Sequence, residues 1–399
     1  MIKYSFNLIF TLFSILIVSS ISANSWSDKD IQQISAFTLK KLQPVKDPSN
    51  KYLLDKNVIS LGEKLFSDTR LSSNKKISCA SCHIKEKSFT DNHNLAVGLQ
   101  KGFRNTPTLL NSAHHNWFFA DGSKDSLWAQ VLSSIENPAE QNFTRVELFN
   151  LFINDNTYKT LYESVFKQSL TKTSIATNLP AKAGPNADLQ GLIEWKKLNS
   201  NQRDRINLFF TNIGKSIASY VTTLESKESR FDKFAYELSV TGRSSLLNKS
   251  EINGYKLFID QKSGCSNCHN GPLFTNKEFH NIGTGILAYD NGRSEVINAV
   301  IHDEFNCLSK YSDAKKEECV ELNYINRNKH GLSGAFKTPS LRNLSKTAPY
   351  MHDGRFSNLE EVLKYYSSID EKRALEVDLP PISLTVKEQQ DIVNFLLTL

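Results

Sequence analysis

The pattern Cys-x-x-Cys-His occurs twice in this chain of 399 residues, as Cys79-Ala80-Ser81-Cys82-His83 and as Cys265-Ser266-Asn267-Cys268-His269. Two thiols at this spacing can add across the two vinyl groups of one haem, and the His that follows can bind the iron from one face. A zinc ribbon also uses Cys-x-x-Cys pairs, but its pairs lie within about 15–20 residues of each other and need no following His. The two motifs here are almost 190 residues apart. They predict two covalently bound haem c groups, held through Cys79, Cys82 and His83 and through Cys265, Cys268 and His269.

The N-terminus has the pattern of an export signal. Lys3 precedes an apolar stretch at 6–18, and small residues, among them Ser22 and Ala23, follow it. A membrane anchor is the alternative, but the stretch is shorter than the roughly 20 apolar residues that span a bilayer. We therefore predict a signal peptide at 1–23, a mature protein in the periplasm, and no stable membrane span after cleavage.

The pattern of apolar residues predicts a mainly α protein with few or no long strands. Ile206, Phe209, Phe210, Ile213 and Ile217 recur at helical spacing, and no long alternating pattern is found. One haem motif in each half predicts two cytochrome c-like haem domains packed together, at 24–247 and 248–399. The formal net charge of +6 is spread along the sequence. Nucleic-acid binding is therefore not expected.

The two remaining cysteines, Cys307 and Cys319, flank a polar loop at 308–318. In an oxidising compartment a local disulfide is the natural pairing, and it contributes about 3 kcal/mol through loop-closure entropy. The alternative is a pair of free surface thiols, which export disfavours.

Several further motifs resemble those of the bacterial diheme cytochrome c peroxidase and MauG family. With the two haem motifs they extend from about residue 53 to the C-terminus, and their order and spacing are typical of the family. They are Arg104-Asn105-Thr106-Pro107, Asp121-Gly122, Leu127 to Gln130, Asn137-Pro138-x-Glu140, Phe336-Lys337-Thr338-Pro339, Leu341-Arg342-Asn343 and Thr347-Ala348-Pro349-Tyr350-Met351-His352-Asp353-Gly354.

The resemblance implies that hydrogen peroxide reacts at the first haem. Glu140, ten residues after Gln130, corresponds to the family's distal acid–base residue. A positioned carboxylate can move the proton that O–O cleavage requires. We therefore expect Glu140 and Gln130 to be catalytic residues. The alternative is that Glu140 is one of the 42 acidic residues that water mostly solvates.

The resemblance also predicts how each iron is bound on its other face. Many peroxidases of the family carry a His just before the Arg-Asn motif, but 96–103 contains none here. We expect an open first haem as in MauG, with His93 as the alternative ligand. The second haem's sixth ligand falls fourteen residues after His352, at Tyr366 rather than at a Met. A phenolate stabilises ferric iron, whereas Met favours ferrous iron. The alternative is that Tyr366 is a core aromatic.

Two more family features concern the contact between the domains. The family usually has a Trp before Asp-Gly that relays electrons, but this chain has Ala120 there. Either another aromatic such as Trp117 joins the haems, or their coupling is weaker. The family also binds a calcium ion through an Asn side chain and two carbonyls, and the matching positions are Asn105, Thr347 and Pro349. Oxygen ligands of this kind suit calcium.

These features predict a periplasmic oxidoreductase that reduces hydrogen peroxide with electrons from a small cytochrome c or cupredoxin. The first alternative is a MauG-type enzyme that oxidises side chains of a partner protein. An alternative of another class is an electron-transfer cytochrome without catalysis.

Overall fold

The computed structural model describes residues 26–170, 179–285 and 290–399. The predicted signal peptide at 1–23 lies outside these ranges. Within them the fold is mainly α, as predicted, with fifteen α-helices and two strands of two residues each. No described helix is both long and apolar enough to cross a membrane.

The α-helices are α1 (Asp28–Ala36), α2 (Lys56–Ser67), α3 (Cys79–Cys82), α4 (Leu127–Glu136), α5 (Arg145–Asn154), α6 (Asn156–Phe166), α7 (Leu189–Lys197), α8 (Ser200–Val221), α9 (Arg230–Thr241), α10 (Lys249–Ile259), α11 (Cys265–Cys268), α12 (Arg293–Ile301), α13 (Val320–Asn323), α14 (Leu359–Tyr366) and α15 (Val386–Leu396). The strands β1 (Phe279–His280) and β2 (Phe336–Lys337) pair antiparallel, with Phe279 opposite Lys337. Short 3-10 helices lie at Leu39–Lys41, Thr69–Leu71, Lys85–Lys87, Ser112–His114, Lys316–Glu318, His330–Leu332, Leu344–Lys346 and Arg373–Leu375.

Two large clusters of buried apolar side chains divide the molecule into two parts, which we call the first and second modules. The first cluster combines α2, α4, α5, α6 and α8. The second combines α1, α9, α10, α14 and α15. The predicted division at 247/248 stays a prediction, and these clusters divide the chain differently: α1 and α9 contribute to the second cluster, while Phe305 and Tyr311 contribute to the first.

Each module places its haem motif after a helix that crosses another helix closely. Gly62 of α2 lies against α8, where an added Cβ would overlap the Ser216 carbonyl oxygen. Gly254 of α10 lies in the same way against the Asp391 carbonyl of α15. Glycine permits this close approach because it has no Cβ. A capping box begins α15, with Thr385 and Glu388 as its two members.

The modules also share a longer repeat, at a separation of 232 residues. Positions 105–134 correspond to 337–366, and both segments contain Thr-Pro, Asn and Asp-Gly at matching places. The correspondence extends to backbone conformation, because Asn111 and Asn343 both adopt positive φ, at 59° and 63°. Each precedes a 3-10 helix, and α4 and α14 begin at matching residues.

The two copies of the repeat both contact the segment that joins α8 to α9. Asn111 and Asn343 each donate a side-chain hydrogen bond of 2.6 Å to the hydroxyl of Ser226. The backbone N–H of Ser226 donates in turn to the Asn111 side chain at 3.0 Å. A single residue between the two cores is therefore bonded to both modules.

Candidate haem centres and the pocket beside Glu140

The first haem motif forms a single helical turn, α3, that presents His83 at its end. The ring Nδ1 of His83 lies 3.0 Å from the carbonyl oxygen of Phe89. As the donor in this bond, Nδ1 carries the proton and leaves Nε2 free, which is the arrangement that a metal-bound His requires. Burial lowers the pKa of His83, so the imidazole is neutral, as an iron ligand must be.

The second motif repeats this geometry in α11. The ring Nδ1 of His269 lies 3.0 Å from the carbonyl oxygen of Phe274. Burial lowers the pKa of His269 to about 4, so this ring is neutral too. The four motif cysteines are half-buried and form no disulfide; they are Cys79, Cys82, Cys265 and Cys268. Both sites therefore fit a covalently bound haem.

Glu140 lies in a small polar pocket beside the first motif. Its Oε1 accepts a hydrogen bond of 2.8 Å from the Asn137 amide. Burial raises the pKa of Glu140, although Ser134 and Asn137 stabilise its ionised form. Burial also raises the pKa of the Cys79 thiol, and the nearby Glu140 charge adds to the rise. The carboxyl group is therefore next to the edge at which the haem would be attached.

Gln130 belongs to the same pocket and reaches Glu140 through Ser134. Its amide donates to the Ser134 hydroxyl at 3.0 Å. These residues meet because Gln130 and Ser134 are one turn apart on α4, which ends just before the Asn137 turn. The structure thus brings together both predicted catalytic residues. It adds Ser134, which no motif marked, and shows that the motif residue Asn137 is a hydrogen-bond donor to Glu140.

The loop that follows the first motif packs directly against Glu140. The N–H of Leu99 donates to the Glu140 carbonyl at 3.3 Å, and that of Gln100 donates to the Ala139 carbonyl at 3.0 Å. A Cβ on Gly98 would lie 2.5 Å from the Ala139 oxygen. His93 is exposed and is held through its backbone N–H, which donates to Asp91.

Tyr366 lies at the C-terminal end of α14, beside the second motif. Burial raises the pKa of its phenol, and the nearby thiols of Cys265 and Cys268 add to the rise. Its hydroxyl makes no hydrogen bond to the described residues. Its neighbour Tyr365, in contrast, donates to the Ile282 carbonyl at 2.6 Å. Tyr366 is thus near the second haem centre and free to act as a ligand. At the matching place of the first module the residue is Ser134.

The modules contact each other through reciprocal backbone bonds. The N–H of Asn105 donates to the His352 carbonyl at 2.8 Å, and the N–H of Lys337 donates to the Ala120 carbonyl at 2.8 Å. Asn105 and Lys337, like Ala120 and His352, are matching positions of the repeat. Ala120, at the position where the family has Trp, therefore contributes a backbone hydrogen bond to this interface.

Trp117 is the buried tryptophan nearest in sequence to Ala120. The Arg293 guanidinium carbon lies 3.9 Å from the centre of its ring, and the Phe279 ring packs on it edge-on at 6.3 Å. A cation against the ring disfavours removal of an electron from it. Trp117 thus joins the two modules by packing, and Arg293 makes it a poor electron-hole carrier.

The predicted calcium ligands lie at the edge of the same interface. The Asn105 amide donates to the His93 carbonyl at 2.6 Å, which leaves its oxygen free. The carbonyl oxygens of Thr347 and Pro349 accept no hydrogen bond from the described residues. No contact among the described residues links these three oxygens into one coordination shell, so the calcium site stays a prediction. No cluster of three or more His, Cys, Asp or Glu side chains able to hold a metal lies within the described ranges.

The sulfur atoms of Cys307 and Cys319 are joined as a disulfide. The backbone N–H of Cys307 donates to the Asp125 carboxylate at 2.7 Å. The disulfide loop is thereby attached to the segment that precedes α4.

Comparisons with known proteins agree with this geometry. The family described as "Di-haem cytochrome c peroxidase" (CCP_MauG) matches residues 56–239. The chain is 30% identical to the cytochrome-c peroxidase IdrP2 of Pseudomonas sp. (strain SCT), over 86% of this chain and 81% of that protein. It is 28% identical to the methylamine utilization protein MauG of Methylorubrum extorquens, over 95% and 88% of the two chains. The chain therefore belongs to the di-haem cytochrome c peroxidase and MauG family.

Solved structures show the same fold. A MauG-like protein associated with microbial copper homeostasis superimposes with a TM-score of 0.61 at 24% identity, over 90% of this chain and 93% of that one. The diheme peroxidase BthA from Burkholderia thailandensis gives a TM-score of 0.58 at 19% identity, over 88% of each chain. The protein is thus a diheme oxidoreductase by family, with two haem c cofactors, and its fold is shared with these solved structures.

Proposed function

We propose that this protein reduces hydrogen peroxide to water in the periplasm, at the haem of the first module, with electrons from a small cytochrome c or cupredoxin. The observation that carries the proposal is the half-buried carboxyl of Glu140 beside Cys79. An electron-transfer cytochrome without catalysis has no use for such a group. Export is supported by the pattern at 1–23 and by the disulfide, a bond typical of oxidising compartments.

Haem supplies the iron at which peroxide binds and is reduced. The residues around it then handle protons. One carboxylate oxygen of Glu140 would take a proton from one peroxide oxygen and return it to the other, which would leave as water. Reduction of one peroxide consumes two electrons and two further protons and yields two waters.

The neighbours of Glu140 keep it in position and adjust its proton affinity. Burial favours the protonated form, whereas Asn137 stabilises the carboxylate. A carboxyl with opposing influences of this kind is suited both to accept and to release a proton. Gln130 positions the Ser134 hydroxyl, which in turn bonds to Glu140.

A MauG-type enzyme that oxidises side chains of a partner protein is the second candidate. Tyr366 beside Cys265 and Cys268 favours it, because a phenolate ligand stabilises oxidised iron and makes the second haem a weak acceptor of electrons. The relatives named MauG also match most of this chain.

Glu140→Gln is the variant that tests the proposal. We expect it to slow peroxide turnover with a reduced small cytochrome as donor by about 10²–10⁴-fold, because Gln cannot relay a proton. Glu194→Gln, which removes an acid from the surface of α7, is the control and should turn over at the normal rate. Unchanged turnover in Glu140→Gln would rule the residue out of the reaction.

Peroxide titration of the fully ferric protein separates the two candidates. A peroxidase whose first haem must be prepared by an electron donor shows little change until reductant is added. A long-lived oxidised spectrum, formed without any donor, favours the protein-oxidising enzyme instead.

A further inference from the structure

Three buried or half-buried cations at the interface between the modules lack an anionic partner. Lys337 donates from Nζ to the Trp117 carbonyl at 2.6 Å, and Arg293 donates to the Gly122 carbonyl. Lys277 has no hydrogen bond from its ammonium group to any described residue. None of the three contacts a carboxylate within the described ranges, and the remaining residues contain no Asp or Glu.

This arrangement differs from that of the other buried cations in the described part of the chain. Arg104 pairs with Asp121 at 2.6 Å, Arg145 with Glu304 at 2.7 Å, and Lys215 with Asp313 at 2.6 Å. Arg342 pairs with Asp232 at 2.7 Å. Buried charges are ordinarily paired in this way because desolvation is costly.

The cluster is short of negative charge. Burial lowers the pKa of Lys337 to about 7 and that of Lys277 below its ordinary value. The charge of Asp121 acts on Lys337, but this carboxylate is already bound by Arg104. Glu321 acts on Lys277 but accepts a bond from Asn116 at 2.7 Å.

His115 adds a second, independent sign of a missing partner. Its Nδ1 is buried and has no hydrogen-bond partner among the described residues. Lys337 and Lys277 are both close enough to lower its pKa further, beyond the effect of burial. The ring is therefore neutral and holds an unused polar nitrogen next to two ammonium groups.

The two lysines belong to the segments that surround His269. Asn276, next to Lys277, donates its backbone N–H to the Cys268 carbonyl at 2.7 Å. Pro339, two residues after Lys337, has its backbone against the His269 ring. A haem carries two propionate carboxylates, which would supply the negative charge that this cluster lacks.

We propose that Lys337 and Lys277, with the Nδ1–H of His115, bind the propionates of the haem attached at His269. The first module has Asn105 at the place that matches Lys337. The lysine pair is therefore a feature of the second haem alone. This inference rests on the two haems of the family and not on peroxide reduction, so it fails or stands separately from the proposed function.

The test is a spectroelectrochemical titration of both haems in the full holoprotein. Lys337→Met and Lys277→Met should each lower the midpoint potential of the second haem, and the double variant should lower it further. Loss of a nearby cation stabilises the more positive ferric state. Lys262→Met is the matched control, since Lys262 lies near the same motif but pairs with Glu388, and should leave the potential unchanged.

Lys337→Arg retains the charge and should keep the wild-type potential even where the neutral variants lose haem. The propionate bending bands in the resonance Raman spectrum of the second haem should shift in Lys337→Met and not in Lys262→Met. Equal effects of Lys337→Met and Lys262→Met on the potential would overturn the proposal. A shift confined to the first haem would overturn the assignment to the second.

Discussion

Ser134 occupies in α4 the place that Tyr366 occupies in α14, fourteen residues after Ala120 and His352 respectively. One residue is a short alcohol bonded to Gln130, and the other is a large phenol without a hydrogen-bond partner among the described residues. We therefore expect the same position to leave the first haem accessible on its distal face and to fill that face of the second haem. This pair of side chains is our explanation for the predicted difference between a reactive first haem and a closed second haem.

Tyr366→Phe should remove the sixth ligand of the second haem. We expect the ferric protein to change from one high-spin and one low-spin haem to two high-spin haems in its EPR spectrum. Tyr365→Phe is the control, because that hydroxyl donates to Ile282 and not to a haem centre. A low-spin signal that survives in Tyr366→Phe would show that another residue is the ligand.

Asn137→Ala should change the pH dependence of peroxide reduction. Glu140 must be ionised to accept the proton, so kcat/KM should rise with pH through its raised pKa. Loss of the Asn137 hydrogen bond removes a group that stabilises the carboxylate, and the rise should move up by about one pH unit. Asn154→Ala, at the exposed end of α5, should leave the profile in place. A shift to lower pH would contradict this account of the pocket.

Replacing Cys307 and Cys319 by Ser should lower the free energy of unfolding by about 3 kcal/mol, because the disulfide closes a short loop. Chemical denaturation of the holoprotein with and without a reductant measures this. Reduction of the wild type should cause a similar loss and should have no effect on the double Ser variant. Equal stability of all these forms would mean that the loop is held by its other contacts.

Gly62→Ala should destabilise the first module by about 3 kcal/mol or more, since the added methyl group overlaps the Ser216 carbonyl and α2 and α8 must separate. Gly102→Ala is the matched control, because the nearest atom to its added Cβ is 3.4 Å away. Thermal unfolding followed by circular dichroism distinguishes the two. Similar melting temperatures for both variants would show that α2 and α8 can move apart at little cost in stability.

The sequence predicted the parts of the molecule whose signal is local. The haem motifs and the helical spacing of Ile206 to Ile217 each lie within one short segment. The repeat of 105–134 at 337–366 was missed, because the distance from His83 to Pro107 is 24 residues and that from His269 to Pro339 is 70. A comparison of the two halves from the Thr-Pro motif onward would have revealed it.

Long-range packing accounts for the rest. Nothing local marks α1 or α9 as part of the second core, since their partners lie far along the chain. The same is true of Lys277 and Lys337, which approach each other only when β1 pairs with β2. Ser134 is an ordinary helix residue until the Asn137 turn brings Glu140 to it.

The shared hydroxyl of Ser226 has a consequence for the rate at which an electron crosses the molecule. Asn111 and Asn343 bond to the same oxygen, so the modules cannot slide apart without breaking one of these contacts. We therefore expect the distance between the two bound haems to be set when the chain folds, with little added by thermal motion of the modules. Electron exchange inside such a molecule should be independent of solvent viscosity, whatever protein docks outside.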